Sequence, residues 1–433
     1  MQFESLRTAL QSIVREICDL HHDDPIPERP WTVIHSIDGA SVDTDLESRP
    51  FYDLLAARAC GDIYNSTALT TLFDTVKDSP DLDALFFPPG NSSAGESLDA
   101  RRFHLGNAIV CPAIMAYTVR KGGLHYDEET FDGVFRDLLN GLQRSTREAV
   151  HVTYLMNANC SGPPVNLEGG WVLRGVTTDE LEQVVNHNYP FMFPVESFDL
   201  HRVGAALEKR AVHARRTQPR VEPAVIDALI QVLRLATDAP IMEILSTFET
   251  IGFLEPSGYR SMPMSRFIPR ELAEIAEDDG IRIARLWLGL ETGPNKDQIA
   301  LALRRWSGAL ERRHPEDALL DYWIGLESLF TPDSTQELSF RASFRLAGFI
   351  GENGDERIAI YADAQHSYAW RSITIHGSSP KKQKLRELNK KGTIEDVTTK
   401  TRGYLRRALL KILEASDPIS LQGIEKAMLS RHQ

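Results

Sequence analysis

Residues 315–330 read PEDALLDYWIGLESLF. A proline opens the run and acids follow it at once. A proline loses nothing at a helix start, and carboxylates sit well against the positive end of the helix dipole. The stretch therefore reads as a helix, and its neighbours repeat the pattern. Before it, Ile299, Ala302, Trp306, Ala309 and Leu310 fall on one face of a first helix. After it come ELSFRASFRLAGFIG (337–351), closed by Gly351, and DERIAIYADAQHSYAWRSITIHG (355–377), closed by Gly377. TIEDVTTKTRGYLRRALLKILEA (393–415) supplies a fifth helix. Short links join most of them, the pattern of an antiparallel helical bundle. The exception is the polar SSPKKQKLRELNKKG (378–392), expected as a loop. The boundary is placed near 290–296, so the bundle occupies 296–433.

The preceding region has a different texture. Helical patterning dominates 1–20, 51–76 and 105–145, interrupted by loops such as FFPPGNSSAGES (86–97). Near 150 it changes: AVHVTYLM (149–156) and GGWVLRGV (169–176) read as strands. Thr177 and Glu180 then have the spacing of a capping box. Residues 191–215 read as mixed with strands, VEPAVIDALIQVLRLAT (221–237) as a helix and FLEPSGYRSMPMSRFIP (253–269) as a loop. The predicted fold class is α+β: an N-terminal mixed α/β region over 1–290, breaking into two subdomains near 150, followed by the all-α bundle.

Of the 433 residues, 42% are hydrophobic and 25% charged, a composition that supports packed domains. No apolar run is long enough for a membrane span, and the first residues lack the pattern of a secretory signal. Cys18, Cys60, Cys111 and Cys160 are isolated in sequence, with no C-x-x-C pair, so no disulfide framework or zinc knuckle is indicated and the cytoplasm is the expected compartment. The LHHDDP segment, with His21, His22, Asp23 and Asp24, reads as a helix end because adjacent side chains point apart. No metal and no cofactor are expected. Phosphate-binding, nucleophile-elbow and zinc-protease motifs are missing from the sequence.

The formal charge is -13, which argues against a surface that coats nucleic acid throughout. The charge is uneven, however. From Arg371 to Lys411 twelve basic residues face three acids, a local +9, leaving -22 for the rest. Such a strip suits local phosphate binding.

RRWSGALERRHPEDALLDYWIGLESLF, ELSFRASFRLAGFIG and YAWRSITIHG together resemble the HEPN superfamily, in its Apea-like branch. The hallmark of HEPN ribonucleases is an arginine, four to six residues, then a histidine. Here Arg371 and His376 have four residues between them, at the end of the penultimate predicted helix. The likeness covers roughly 297–415. It implies a homodimer through the HEPN domain, with the motif helices paired into one composite cleft. It also implies RNA as the substrate, a role in anti-phage defence, and a phage-derived or other trigger acting on residues 1–290.

The residue types suit metal-independent RNA cleavage. On an ideal helix Arg371 and His376 lie about 140° apart, so one helix does not aim both at one small group. A second copy, or unwinding at Gly377, would bring them together. One histidine takes the proton from a 2′-OH and another protonates the departing 5′-oxygen. Arginine offers a planar fork to the phosphate. Ser372, four residues before His376 on the same face, is placed to orient the imidazole or touch substrate. Glu327, in an otherwise apolar helix, needs a partner, and Arg345 and Arg371 are the candidates. Tyr368 is a candidate base-stacking residue, with packing as the plainer reading. Lys381, Lys382, Lys384, Lys390 and Lys391 form a candidate phosphate track, or simply a solvated loop. Two other readings stay open: a non-catalytic HEPN module that dimerises or binds nucleotide or a partner protein, and a HEPN protein modified by a cognate nucleotidyl-transfer enzyme.

Overall fold

The computed structural model describes residues 2–34, 44–86, 97–144, 146–188, 200–214, 223–251, 258–261, 272–332, 336–376 and 382–430. The fold is mixed α+β with a helical C-terminal region. Its elements group into two compact units. The first is Met1–Val150 with Arg210–Pro219 and Thr247–Tyr259; the second is His151–Lys209, Arg220–Ser246 and Arg260–Gln433.

The first unit contains α1 (Gln2–His21), β1 (Glu28–Ile34), β2 (Thr44–Pro50), α2 (Tyr52–Asp62), α3 (Thr67–Lys77), α4 (Pro80–Phe86), α5 (Leu98–Leu105), α6 (Cys111–Lys121) and α7 (Glu128–Gln143). Its core follows from the amphipathic patterning of the sequence. Leu6, Leu10, Ile13 and Ile17 of α1 are buried with Leu69, Leu72 and Val76 of α3. Ala113, Ile114 and Tyr117 of α6 join Leu55 and Ala59 of α2 and Phe131, Val134 and Leu138 of α7. Helical residues 51–76 divide at a 3₁₀ turn, Ile63–Asn65, after which Ser66 caps α3 by accepting from the Ala68 N–H at 3.0 Å. The hairpin β1–β2 pairs antiparallel from Glu28↔Pro50 to Ile34↔Thr44. Sequence patterning gave no sign of it, because every residue of β2 is exposed and no alternation marks the strand.

The remaining elements are β3 (Thr146–Met156), β4 (Ala158–Cys160), β5 (Val165–Leu167), β6 (Trp171–Gly175), α8 (Thr178–Asn188), β7 (Val203–Ala214), α9 (Pro223–Thr237), β8 (Met242–Ile251), β9 (Gly258–Ser261) and β10 (Ala273–Ile275), followed by α10 (Glu277–Thr292), α11 (Lys296–Ala309), α12 (Pro315–Phe330), α13 (Leu338–Ile350), α14 (Gly354–His376), α15 (Lys382–Asn389), α16 (Ile394–Leu413) and α17 (Leu421–Ser430). The strands lie in the order β10-β4-β7-β3-β8-β9, with β6 paired to both β5 and β7. Strand β4 runs parallel to β10 and β7, whereas β6 is antiparallel to β7. The capping box at α8 forms: Thr177 N–H donates to Glu180 Oε2 at 2.9 Å and Glu180 N–H to Thr177 Oγ1 at 3.3 Å.

The five bundle helices expected from the sequence are α11, α12, α13, α14 and α16, and α12 packs against all the others. Trp306, Trp323, Phe330, Leu319, Leu405 and Leu409 are fully buried between them. Three expectations are corrected here. The boundary placed near 290–296 falls inside the second unit, since α9 and α10 pack on α11 and α16. The polar segment expected as a loop at 378–392 contains the helix α15, because Leu388 lies one face round from the charges and packs on the core. The loop expected over 253–269 includes the strand β9. Residues 87–96 of the expected loop 86–97, residues 189–199 and Gly377 lie outside the described residues. Among the described residues no helix is long and apolar enough to cross a membrane.

Candidate functional site

Arg371 lies in the last turns of α14 and Glu327 in the last turn of α12. The guanidinium donates through Nη2 to Glu327 Oε2 at 3.2 Å and through Nη1 to the Tyr368 hydroxyl at 3.3 Å. Its Cζ also lies 5.1 Å from the centre of the Tyr368 ring, a cation–π contact. Both Arg371 and Glu327 side chains are 19% exposed, so the pair sits at the rim of the bundle. Of the two arginines considered as partners for Glu327, Arg371 meets it. Arg345 is buried elsewhere, donating to Glu425 at 2.8 Å and to the Phe330 carbonyl at 2.6 Å, where it ties α13 to α12 and α17.

The pair leaves polar capacity unspent. Among the described residues Glu327 Oε1 and Arg371 Nε are buried without a hydrogen-bond partner. Burial pushes the Glu327 carboxyl above its ordinary value and outweighs the attraction of Arg371, because a single contact at 3.2 Å does not replace lost water.

Behind the pair the packing is rigid. The Tyr368 ring meets Trp323 edge-on at 4.9 Å. Trp323 Nε1–H donates to Ser367 Oγ at 2.8 Å, and Ser367 Oγ meets Thr401 Oγ1 at 2.7 Å. This buried chain crosses from α12 through α14 to α16, so the rotation of the motif helix is set by hydrogen bonds as well as by apolar contact. Tyr368 thus packs within the bundle and its hydroxyl serves Arg371.

Ser372 is half-buried beside Arg371 on α14, and the His376 backbone ends that helix. The His376 side chain lies outside the described residues, as do Lys381 and the side chains of Lys382 and Lys384. Lys390 and Lys391 are exposed just after α15.

The basic strip is narrower than its sequence suggests. Arg402 donates to Asp238 at 2.6 Å, and Arg406 to the Leu235 and Ala236 carbonyls at 2.8 and 2.7 Å. Arg407 and Lys411 donate to the Ile350 and Phe349 carbonyls at 3.0 and 2.5 Å. These cations satisfy the open C-terminal carbonyls of α9 and α13 and complement their dipoles. Lys400 is paired with Asp363 at 3.0 Å.

His366 was not singled out from the sequence. It lies five residues before Arg371 and therefore about 140° away around α14. Burial, with Lys391 nearby, holds its imidazole below the ordinary value, so it is neutral near pH 7. Nothing in its sequence setting distinguished it from a surface histidine.

A separate cavity of about 280 Å³ between α9, β8 and α11 is lined by Arg234, Glu243, Arg304 and Glu311 among others and does not include Arg371. Comparison with known proteins finds no matching family model, no matching curated protein and no matching solved structure.

Proposed function

We propose that the chain is a metal-independent endoribonuclease of the HEPN type, acting as an anti-phage effector or toxin restrained by its N-terminal region. The observation that carries this reading is the setting of Arg371. Its fork is oriented by Glu327 and Tyr368 at the rim of the bundle, where the side chain keeps partial exposure. A planar donor held in place at the rim is suited to a phosphate oxygen. Glu327 acts as a positioning residue. It fixes the guanidinium, while burial holds its own carboxyl above the ordinary value.

The reaction uses the RNA itself as nucleophile. His376 removes the 2′-OH proton, the 2′-oxygen attacks phosphorus and the 5′-oxygen leaves with a proton from the His376 of a second copy. Arg371 stabilises the charge that grows on the equatorial oxygens. The products are a 2′,3′-cyclic phosphate and a 5′-hydroxyl. A second reading is a non-catalytic HEPN module. The ion pair favours it to this extent: an arginine paired with a half-buried acid also serves as a structural tie.

The experiment that separates the two is incubation of the purified wild type and His376→Ala with total RNA in EDTA. Cleavage by the wild type alone, with cyclic-phosphate ends, is expected. RNA left intact by a folded dimer would favour the interaction module. Cleavage that stops in EDTA and returns with magnesium would overturn the metal-independent mechanism.

A further inference from the structure

One stripe of α14 carries no acid. On an ideal helix Arg357, Tyr361, Gln365, Tyr368 and Ser372 fall within about 80° of one another. The stripe meets α13. Gln365 Nε2 donates to the Ser339 carbonyl at 2.9 Å and to Ser343 Oγ at 3.0 Å, and Arg357 Nε donates to the Gly351 carbonyl at 3.1 Å. The acids of the same helix, Asp355, Glu356 and Asp363, lie about 120–160° round from Tyr361. Two of them are held toward α16, Glu356 by Arg407 at 2.8 Å and Asp363 by Lys400 at 3.0 Å.

Helix α13 sets aromatic rings against this stripe. Phe340 stacks on Phe344, with ring centres 5.7 Å apart and planes 13° from parallel, and meets Tyr361 at 6.3 Å in a T-shaped contact. Phe340 is nevertheless 50% exposed, and Ile358, three residues before Tyr361, is 70% exposed. A fixed ring that is half open to solvent offers flat apolar surface to a further ring. The charge beside it is positive: residues 338–350 contain Arg341 and Arg345 and no acid. Arg341, next to Phe340, is 39% exposed, and Glu337 stands 3.9 Å from it, beyond hydrogen-bond reach. Tyr361 and Arg371 are ten residues apart on α14, about 15 Å along its axis, the span of a few nucleotides.

We propose that the groove between α13 and α14 is a binding track for single-stranded RNA. Phe340 is the platform on which one base stacks, and Arg341 and Arg357 contact the phosphates beside it. The choice of RNA rests on the ribonuclease reading, and the track is where substrate flanking the cut at Arg371 lies. Every base has a flat face, so such a platform holds a strand without reading its sequence. Phe340 positions a flanking base and takes no part in the chemistry.

A second copy of the chain is the other natural occupant of an apolar face. The open apolar surface here is half of one phenylalanine, an isoleucine and the edges of two further rings. That is well short of the roughly 800 Å² per partner that a stable dimer buries. The flanking arginines suit a phosphate backbone, whose charge they complement.

The test titrates the full chain with a short 2′-deoxy oligonucleotide carrying one 2-aminopurine, a base whose fluorescence falls when it stacks. The wild type should bind the strand and quench it. Phe340→Ala should weaken binding about fivefold or more, and Phe340→Tyr should restore both signals. Arg341→Gln and Arg357→Gln should each lower the slope of log Kd against log salt by about 0.7, the value for one phosphate contact on a single strand. On RNA in EDTA, Phe340→Ala should raise KM and leave kcat within about twofold, because a stacked base is held alike in ground and transition states. A wild type that does not bind the strand, or a Phe340→Ala chain that binds as tightly as wild type, would overturn the proposal. So would a Phe340→Ala dimer that falls to monomer, which would make the face a subunit contact. Ring-dependent binding by a chain that leaves RNA uncut would remove the ribonuclease reading and keep the groove as a single-strand binding surface. Should Phe340→Ala fail to fold by circular dichroism, wild-type quenching and the two salt slopes decide alone.

Discussion

Arg371 and Glu327, 44 residues apart in the chain, meet at 3.2 Å across the last turns of two bundle helices. The contact is lopsided. The carboxyl remains above its ordinary value because burial acts on it more strongly than the neighbouring cation. A half-buried acid in this state is stabilised by protonation in the folded chain and less so in the unfolded one.

That sign fixes a pH dependence. A folded-state value raised above the unfolded one means that the folded chain binds the proton more tightly. Glu327 therefore contributes most below the ordinary carboxylate value, and its contribution falls as pH rises through the raised value. Denaturant titrations of wild type and Glu327→Gln from about pH 4 to about pH 8 should show the wild type losing ground to the variant as pH rises. Arg371→Ala removes the opposing attraction and should move the loss to higher pH. A stability difference that is flat across this range would show that Glu327 is not desolvated.

The lysine run and the held arginine should separate binding from turnover. Neutralising Lys381, Lys382, Lys384, Lys390 and Lys391 together should weaken RNA binding and flatten its salt dependence, because fewer counterions are released. Turnover at saturating RNA should change little, since an ammonium acting as a point charge binds ground and transition states alike. Arg371→Lys should do the reverse: it keeps the charge and loses the fork, so binding persists while turnover drops by about tenfold or more. Binding is read on a 2′-deoxy strand and turnover on RNA. Unchanged binding across a salt series would reduce the lysines to a solvated surface.

Gly289 marks a close approach of α10 to α16. A Cβ there would collide with the Leu413 carbonyl oxygen, which is backbone and cannot rotate aside. Gly289→Ala gains helix propensity of about 1 kcal/mol yet forces the two helices apart. A net loss of about 1–3 kcal/mol is expected in urea unfolding. A stabilised variant would mean that the helices slide at no cost.

Arg234 ties α9 to α11 from the interior. It is 8% exposed and donates to the Ile241 carbonyl at 2.6 Å, to the Ser307 carbonyl at 3.1 Å and to Glu311 at 2.5 Å. Arg234→Met keeps much of the volume but takes the donor from the buried Ile241 carbonyl, whereas the Ser307 carbonyl keeps the Leu310 N–H. Glu311, half-exposed, returns to water, so the loss lies mainly at Ile241 and should be about 1–3 kcal/mol in thermal unfolding. A loss below about 0.5 kcal/mol would mean that water replaces the guanidinium.

The sequence alone determined the helices of the bundle, because Pro315, the acids after it and Gly351 are local signals read from neighbours in the chain. The capping box at Thr177 was legible for the same reason. The hairpin of β1 and β2 was not, since an exposed strand carries no burial pattern. Residues distant in sequence met only through packing. Glu327 had two candidate arginines, and helix register chose Arg371 while seating Arg345 on Glu425. Twelve basic residues read as one strip, but helix ends with open carbonyls had already claimed several of them. Cys60 and Cys111, 51 residues apart, meet only in the fold, where the Cys60 thiol donates to the Cys111 carbonyl at 3.8 Å. Local periodicity determines which segments fold into helices; only the tertiary structure decides which side chains spend their hydrogen bonds on one another and which are left free.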